Sequence, residues 1–311
     1  MSVVLPTYGR NEYVERAIES VLDQTYENIE LYIVDDGSPT PVSETLAGMD
    51  FDRLEAVTFV RHHENRGANV ARNSGIRAAT GKYIAFLDDD DWWVETKISR
   101  QVSAFERAGP ETGVVYTGVR KEAPTGTTVT RPTAEGNVVK ELLTGKTFGQ
   151  FSSVMVDTDV ISTAGLPDER FPAWQDREWF FRLAQHCEFA AVSDPLTHRQ
   201  TDLPDSITKK FEQKRDVAYP LFVAKHRSLA EEHGFYYTQT FLASMRRSLA
   251  RSAARAGRYR EARKFFVLAF LANPLHRPVH AHLVASLGGK WTYETAGLVR
   301  RSLDHVRSLL R

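Results

Sequence analysis

The sequence predicts an α/β protein: a mainly parallel, Rossmann-like central sheet with flanking helices, followed by a helical C-terminal extension. Two observations carry this reading. Apolar strand-like runs alternate with helical patterns from the first residues onward. The strand runs also end in polar, mostly acidic residues, as they do where open α/β sheets bind ligands.

Each element follows in order. Ser2-Val-Val-Leu-Pro-Thr-Tyr8 is a strand running into a loop. Val14, Ala17, Ile18, Val21 and Leu22 fall at helical spacing. Ile29 to Val34 is a second strand, closed by Asp35-Asp36-Gly37-Ser38. Thr58 to Arg61 is a third strand toward the sheet edge. Ala68 to Ala79 is a helix opening after Gly67. Lys82 to Leu87 is a strand that ends in four aspartates, Asp88 to Asp91, and then Trp92-Trp93. One helix is predicted from Trp93 to Ala108, a strand from Val114 to Thr117, and a loop or hairpin over the Thr-, Pro- and Gly-rich stretch Ala123 to Gly136. Further on come a strand (Ser152 to Val156), a short helix (Thr158 to Ala164), a helix from Gln175 to His186, and a helical hairpin from Tyr236 to Ala272. No internal repeat spans the chain.

Composition is that of a soluble globular protein, with 42% hydrophobic and 26% charged residues in 311. No apolar run approaches the roughly 18 residues that a membrane-crossing helix needs. The first strand begins at about residue 2, which leaves no room for a signal peptide. The single cysteine, Cys187, cannot form an internal disulfide and reads as a buried, inert thiol. The expected location is cytoplasmic, with peripheral attachment to the cytoplasmic face of the cell membrane as an option.

Four carboxylates at the end of a buried strand repel one another and lose hydration, so a cation there offsets a large cost. Hard oxygen ligands suit Mg²⁺ or Mn²⁺, and such ions suit a substrate carrying phosphates. The plainer alternative is a solvated acidic turn ahead of a helix N-terminus, where aspartate is favoured in any case. The topology brings Thr7, Tyr8, Asp35, Asp36 and Asp88 to Asp91 to one rim of the sheet, and this convergence favours a ligand site.

The stretches PTYGRNEYVERAIESVLDQTYENIELYIVDDGS and NRGANVARNSGIRAATGKYIAFLDDDDWW closely resemble the family 2 glycosyltransferases of the GT-A fold. The resemblance covers roughly residues 1 to 205, in the right order and spacing. It implies a metal-dependent, inverting transfer of a sugar from a nucleotide-sugar donor, most simply a UDP-sugar, to a hydroxyl of a glycan or a lipid-phosphate-linked saccharide. On the same resemblance, Asp88 and Asp90 are the two acids of a D-x-D motif. Asp90 holds Mn²⁺ or Mg²⁺, and Asp88 contacts the ribose or the metal. Asp36 hydrogen-bonds the base, and Pro6, Thr7 and Tyr8 line the base and ribose pocket. Arg72 and Arg199 contact the donor, and His198 is a possible third metal ligand. Asp91 caps the following helix, and Asp35 is structural. Asp176, at the start of its helix, is the general base, with Glu178 as the fallback. Trp92 and Trp93 are split between core packing and sugar stacking.

The chain departs from the family at Gly9, where Asn is usual, and at Gln175, where Glu is usual. Losing that Glu removes a like charge beside Asp176. Two alternatives remain: a catalytically silent binding or scaffold protein on the same fold, and a sugar nucleotidyltransferase. The second lacks its Gly-rich, Lys/Arg-bearing loop after the first strand. A dehydrogenase is disfavoured because no G-x-G-x-x-G follows that strand.

The predicted organisation is a catalytic domain over 1–214, with a nucleotide-sugar half (1–113) and an acceptor half (114–214), and an extension over 215–311. The whole chain balances 40 Lys and Arg against 40 Asp and Glu, yet 215–311 holds 17 basic residues against 6 acidic. Arg246, Arg247, Arg251, Arg255 and Arg258 predict one basic helix face opposite Leu242, Met245 and Leu249. An anionic membrane surface or a phosphate-linked acceptor fits that charge, and no nucleic-acid partner is expected. Ala256-Gly-Arg-Tyr259 with Ala262, Phe266, Ala269 and Pro274 resembles half of a tetratricopeptide repeat, a weak signal in single copy.

Overall fold

The computed structural model describes residues 1–123, 126–200, 211–289 and 291–293. The expected end of the family resemblance near residue 205 and the last stretch of the basic extension, 294–311, lie outside the described residues. The chain forms two compact units, residues 1–139 with 147–204 and residues 140–146 with 205–311.

In chain order the strands are β1 (Ser2–Thr7), β2 (Glu30–Asp35), β3 (Ala56–Arg61), β4 (Tyr83–Phe86), β5 (Asp91–Trp93), β6 (Thr112–Ala123), β7 (Gly126–Thr130), β8 (Val154–Asp157) and β9 (Glu188–Gln200). Between them lie α1 (Asn11–Leu22), α2 (Val42–Thr45), α3 (Ala68–Ala78), α4 (Lys97–Arg107), α5 (Val139–Leu143), α6 (Thr158–Ala164) and α7 (Gln175–Leu183). The strand order is β3-β2-β1-β4-β8-β6-β9-β5, with β7 paired to β6 alone. β3, β2, β1 and β4 are parallel neighbours, as the strand–helix alternation predicts. Beyond β4 the sheet is mixed. β8 runs antiparallel to both its neighbours, β6 and β9 are parallel, and β5 is antiparallel to β9. The order reverses at β1, between β2 and β4, so a crevice opens at the C-terminal ends of β1 and β4.

The reason for this packing is legible in β1. All six of its residues are buried because both faces are covered. Val3 and Leu5 join Val14, Ile18 and Val21 of α1 in one core. On the other face α3 approaches so closely that a Cβ at Gly75 would lie 2.4 Å from Val4 Cγ1. A larger residue there would have to displace the Val4 side chain.

One sequence expectation is corrected. The helix predicted from Trp93 to Ala108 is instead a short strand, β5, followed by α4 from Lys97 with Thr96 at its N-cap. β5 forms because Asp91, Trp92 and Trp93 pair with Arg199, His198 and Thr197 of β9, a partner more than a hundred residues away. Trp93 is core, and its Nε1 donates to the Ser152 carbonyl at 2.7 Å. Within the stretch Ala123 to Gly136, expected as a loop or hairpin, β7 pairs antiparallel with the end of β6.

The second unit is helical: α8 (Phe211–Gln213), a π-helical segment Lys214–Ala218, α9 (Tyr219–Glu232), α10 (Phe235–Arg255), α11 (Tyr259–Ala272) and α12 (Arg277–Leu287). The hairpin expected from Tyr236 to Ala272 is α10 and α11, with Ala262, Phe266 and Ala269 buried between helices. The predicted basic face is only partly a solvent face. Arg246 donates to the Leu268 carbonyl at 2.9 Å and to the Tyr219 hydroxyl at 3.3 Å. Arg258 pairs with Glu261 and Glu212. Arg251 and Arg255 are exposed. No helix among the described residues is long and apolar enough to cross a membrane.

Candidate active site

The acidic loop after β4 alternates in burial. Asp89 and Asp91 are buried, while Asp88 and Asp90 reach the rim. Asp89 accepts from Thr7 Oγ1 at 2.8 Å and from Arg10 Nη1 at 3.3 Å. The same Arg10 nitrogen donates to Asp90 Oδ2 at 2.9 Å. Asp88 Oδ1 pairs with Arg72 Nη2 at 2.5 Å. Asp91 accepts from Ser152 Oγ at 2.6 Å and Gln150 Nε2 at 2.9 Å.

These environments raise carboxyl pKa values. Burial pushes Asp89 up to about 6, with Asp90 and Asp88 adding to it and Arg10 and Thr7 opposing. Burial also raises Asp90, helped by Asp88 and opposed by Arg10 and Arg199. Asp91 is held well above the ordinary range by burial, then by Asp90 and Asp88.

Asp88, Asp90 and Asp91 each offer a carboxylate oxygen, all within 4.8 Å of one another. Asp91 Oδ1 is buried without a hydrogen-bond partner among the described residues. An orphaned carboxylate oxygen beside two more acids is the donor set that suits a hard divalent cation. Two expectations change here. Asp91 does not cap α4; it lies in β5 and completes the acidic triad. His198 is not in that triad. Its Nδ1 faces Glu122 Oε1 at 3.3 Å, and its ring stacks on Trp92 with centroids 5.1 Å apart. Trp92 is covered on its other contact by Arg16, 3.8 Å from the ring centroid.

Arg72 ties the acidic loop to the helix that bears Asp176. It is buried in α3, lies 3.9 Å from the Phe151 ring centroid, and donates to Asn69 at 3.2 Å and to Gln175 Oε1 at 3.5 Å. Asp176 follows Gln175 at the start of α7, and its Oδ1 accepts from the Arg177 amide at 2.7 Å. Its pKa is raised by burial, opposed by the Arg177 amide, Arg199 and Arg72, with Asp88 adding to the rise. The like charge near Asp176 therefore comes from Asp88, although Gln175 is neutral. Trp174, the N-cap of α7, sits at φ 59°, ψ 28°. A tryptophan in the left-handed region costs about 1–3 kcal/mol, a strain that gathers at functional sites. Glu178 is unsuited to the fallback role. It is fully buried and forms a two-bond pair with Arg182, at 2.9 and 3.1 Å.

On the β2 side, Asp36 is buried and engaged. It accepts from the Arg66 amide at 3.1 Å, the Gly67 amide at 2.7 Å and His62 Nδ1 at 2.7 Å. His62 Nε2 in turn meets Ser74 Oγ at 2.9 Å. The Ser–His–Asp spacing is that of a nucleophilic triad, but Ser74 lies inside α3, whose amides are spent on the helix. The chain of bonds instead clamps α3, and so Arg72, to the end of β2 and β3. Asp35 organises its turn, accepting from the Ser38 and Val42 amides and from Arg61.

Pro6 and Thr7 are buried, whereas Tyr8 is 46% exposed. Gly9 sits at φ 63°. That is a conformation glycine and asparagine both tolerate, so the departure from Asn is conformationally neutral. Arg199 donates to Gln150 Oε1 and pairs in register with Asp91. Arg10, Gln150, Ser152 and His62 are site residues that the sequence did not flag. Cys187 lies elsewhere; burial pushes its thiol up to about 12, a poor nucleophile.

A sheet whose parallel half ends in an acidic, arginine-braced crevice defines the GT-A architecture. S. aureus TarS (residues 1–349) matches it with a TM-score of 0.55 at 13% identity, covering 91% of this chain and 90% of that one. The family model for glycosyl transferase family 2 matches residues 2–159, and the chain belongs to that family. Bacillus subtilis EpsH, a putative glycosyltransferase, is 31% identical over 232 residues, 69% of this chain and 64% of its own length. Escherichia coli WfaP, a UDP-Glc:alpha-D-GlcNAc-diphosphoundecaprenol beta-1,3-glucosyltransferase, is 37% identical over 106 residues, 34% of this chain and 41% of its own. The chain spans 15–17% of the length of the first curated relatives it matches.

Proposed function

We infer that the chain is an inverting glycosyltransferase that moves a sugar from a nucleoside-diphosphate donor to an acceptor hydroxyl. The observation that carries this reading is the bridge made by Arg72, which touches Asp88 at 2.5 Å and Gln175, the neighbour of Asp176, at 3.5 Å. The guanidinium that pairs with a donor-holding carboxylate thus also reaches the residue beside the base, and its charge opposes the rise in the Asp176 pKa.

Asp88 and Asp90, with Asp91 behind them, would hold Mn²⁺ or Mg²⁺. The bound cation would neutralise charge developing on the leaving diphosphate. Arg72 and Arg199 orient the diphosphate by charge-assisted hydrogen bonds. Pro6, Thr7 and Tyr8 line the nucleoside side, where Asp36 with its Arg66–Gly67 loop faces the base. Asp176 takes the proton of the attacking acceptor hydroxyl, and its raised pKa makes it a stronger base than a free aspartate.

Similarity to a relative that uses UDP-Glc and a diphosphoundecaprenol-linked acceptor supports a UDP-sugar and a lipid-phosphate-linked saccharide. The basic extension suits the same choice, because an anionic headgroup surface is where such an acceptor is presented.

The test is a panel of UDP-, GDP- and dTDP-sugars with Mn²⁺, Mg²⁺ or EDTA, and NMR of the product. Metal-dependent loss of one donor with inverted anomeric configuration is expected. Retention of configuration overturns the mechanism, and no donor binding under any metal favours the silent scaffold.

A further inference from the structure

Arg10 follows the αL turn at Gly9 and precedes α1, whose N-terminus has no side-chain cap. Its guanidinium reaches into the acidic loop, 2.9 Å from Asp90 and 3.3 Å from Asp89. Asp90 also belongs to the acidic triad, so one carboxylate is shared between an internal cation and a candidate external one. Arg16 donates to the Asp90 carbonyl at 3.5 Å and Arg199 pairs in register with Asp91, while Arg72, which pairs with Asp88, is fixed. Its side chain is 5% exposed and is held by Asp88, Asn69 and Gln175 over the Phe151 ring. The Arg10 side chain is 28% exposed and rises from a loop, so it can swing.

Resting on the donor-site reading above, we propose that Arg10 is a built-in counter-cation that holds off a free divalent ion until a diphosphate binds. Two like charges on one carboxylate repel, so an ion settling on Asp88, Asp90 and Asp91 drives Arg10 from Asp90. Asp89, anchored by Thr7, retains one partner for it, and a diphosphate supplies a better, two-pronged one. Ion and diphosphate then favour each other reciprocally, with Arg10 as the coupling element. The site takes bare ions weakly and the pair of ion and diphosphate more tightly.

The experiment is an Mn²⁺ titration followed by electron paramagnetic resonance on the full chain, first with Mn²⁺ alone and then with UDP or GDP. Arg10→Gln is expected to bind Mn²⁺ alone about tenfold more tightly than the wild type, and the gain added by nucleotide should shrink by a similar factor. Arg10→Lys keeps the point charge and should restore most of the wild-type weakness. Should Arg10→Gln fail to fold, Asp89→Asn reads the same device in reverse: Arg10 is released wholly to Asp90, and Mn²⁺ alone binds more weakly. An Arg10→Gln variant that binds Mn²⁺ no more tightly than the wild type overturns the proposal and leaves the donor-site reading standing. If neither protein binds Mn²⁺, with or without nucleotide, the proposal and the metal assignment fall together.

Discussion

Asp88 and Asp90 face the crevice while Asp89 and Asp91 are sealed behind it, so one run of four identical residues does two jobs. The buried pair has a measurable consequence. A folded-state pKa of about 6 at Asp89, against an ordinary 3.8, means the folded chain keeps a proton that the unfolded chain has already lost. Metal-free stability should therefore fall as pH climbs from about 4 to about 6, then level off as Asp89 ionises in both states. Asp90 and Asp91 shift the same way. Thermal melts in EDTA across that range check this, and a Tm that rises with pH through the window contradicts it. The four acids were plain in the sequence. Their alternation was not, because it depends on Thr7, Gln150 and Ser152, which lie some 60 to 80 residues away. Nothing local marks Arg10 as a partner of Asp90 either.

α3 is the element on which the site hinges. Asp36 holds the entry to α3 through the Arg66 and Gly67 amides, and His62 bridges Asp36 to Ser74 within the helix. His62→Ala leaves a buried carboxylate short of a partner, at a cost of about 1–3 kcal/mol. It should also weaken donor binding more than turnover, because Arg72 rides on the same helix. Isothermal titration with the nucleoside diphosphate reads the first effect, and saturating single-turnover rates read the second. Gly75→Ala places a methyl against Val4 and should destabilise by about 1–3 kcal/mol, measured by urea unfolding. Local periodicity revealed α3 and β1 to β4. It misread β5, because a Trp-Trp pair ahead of a helical pattern looks like the helix start until β9 is there to pair with it. Long-range pairing of this kind is invisible to a window of a few residues.

The chain joins a GT-A unit to a basic helical one, and the charge split between them was legible by counting alone. Which arginines reach solvent was not. Arg246 is held by Leu268 and Tyr219, and Arg258, though exposed, pairs with Glu212 and Glu261; Arg251 and Arg255 are also exposed. If the extension meets an anionic surface, Arg251→Glu with Arg255→Glu should weaken co-sedimentation with phosphatidylglycerol vesicles, by about 1 kcal/mol per charge removed. Unchanged sedimentation would remove the membrane from the account. The central claim is that donor holding and base catalysis reside in separate carboxylates, Asp88 with Asp90 and Asp176, with Arg72 running from Asp88 to Gln175 beside the base. Its most direct measurement pairs Mn²⁺-dependent donor affinity with single-turnover transfer in Asp90→Ala and Asp176→Asn. Asp90→Ala should lose donor affinity. Asp176→Asn should keep it while turnover falls by a factor of about a hundred to ten thousand. An Asp176→Asn protein that transfers sugar at nearly the wild-type rate would contradict the account.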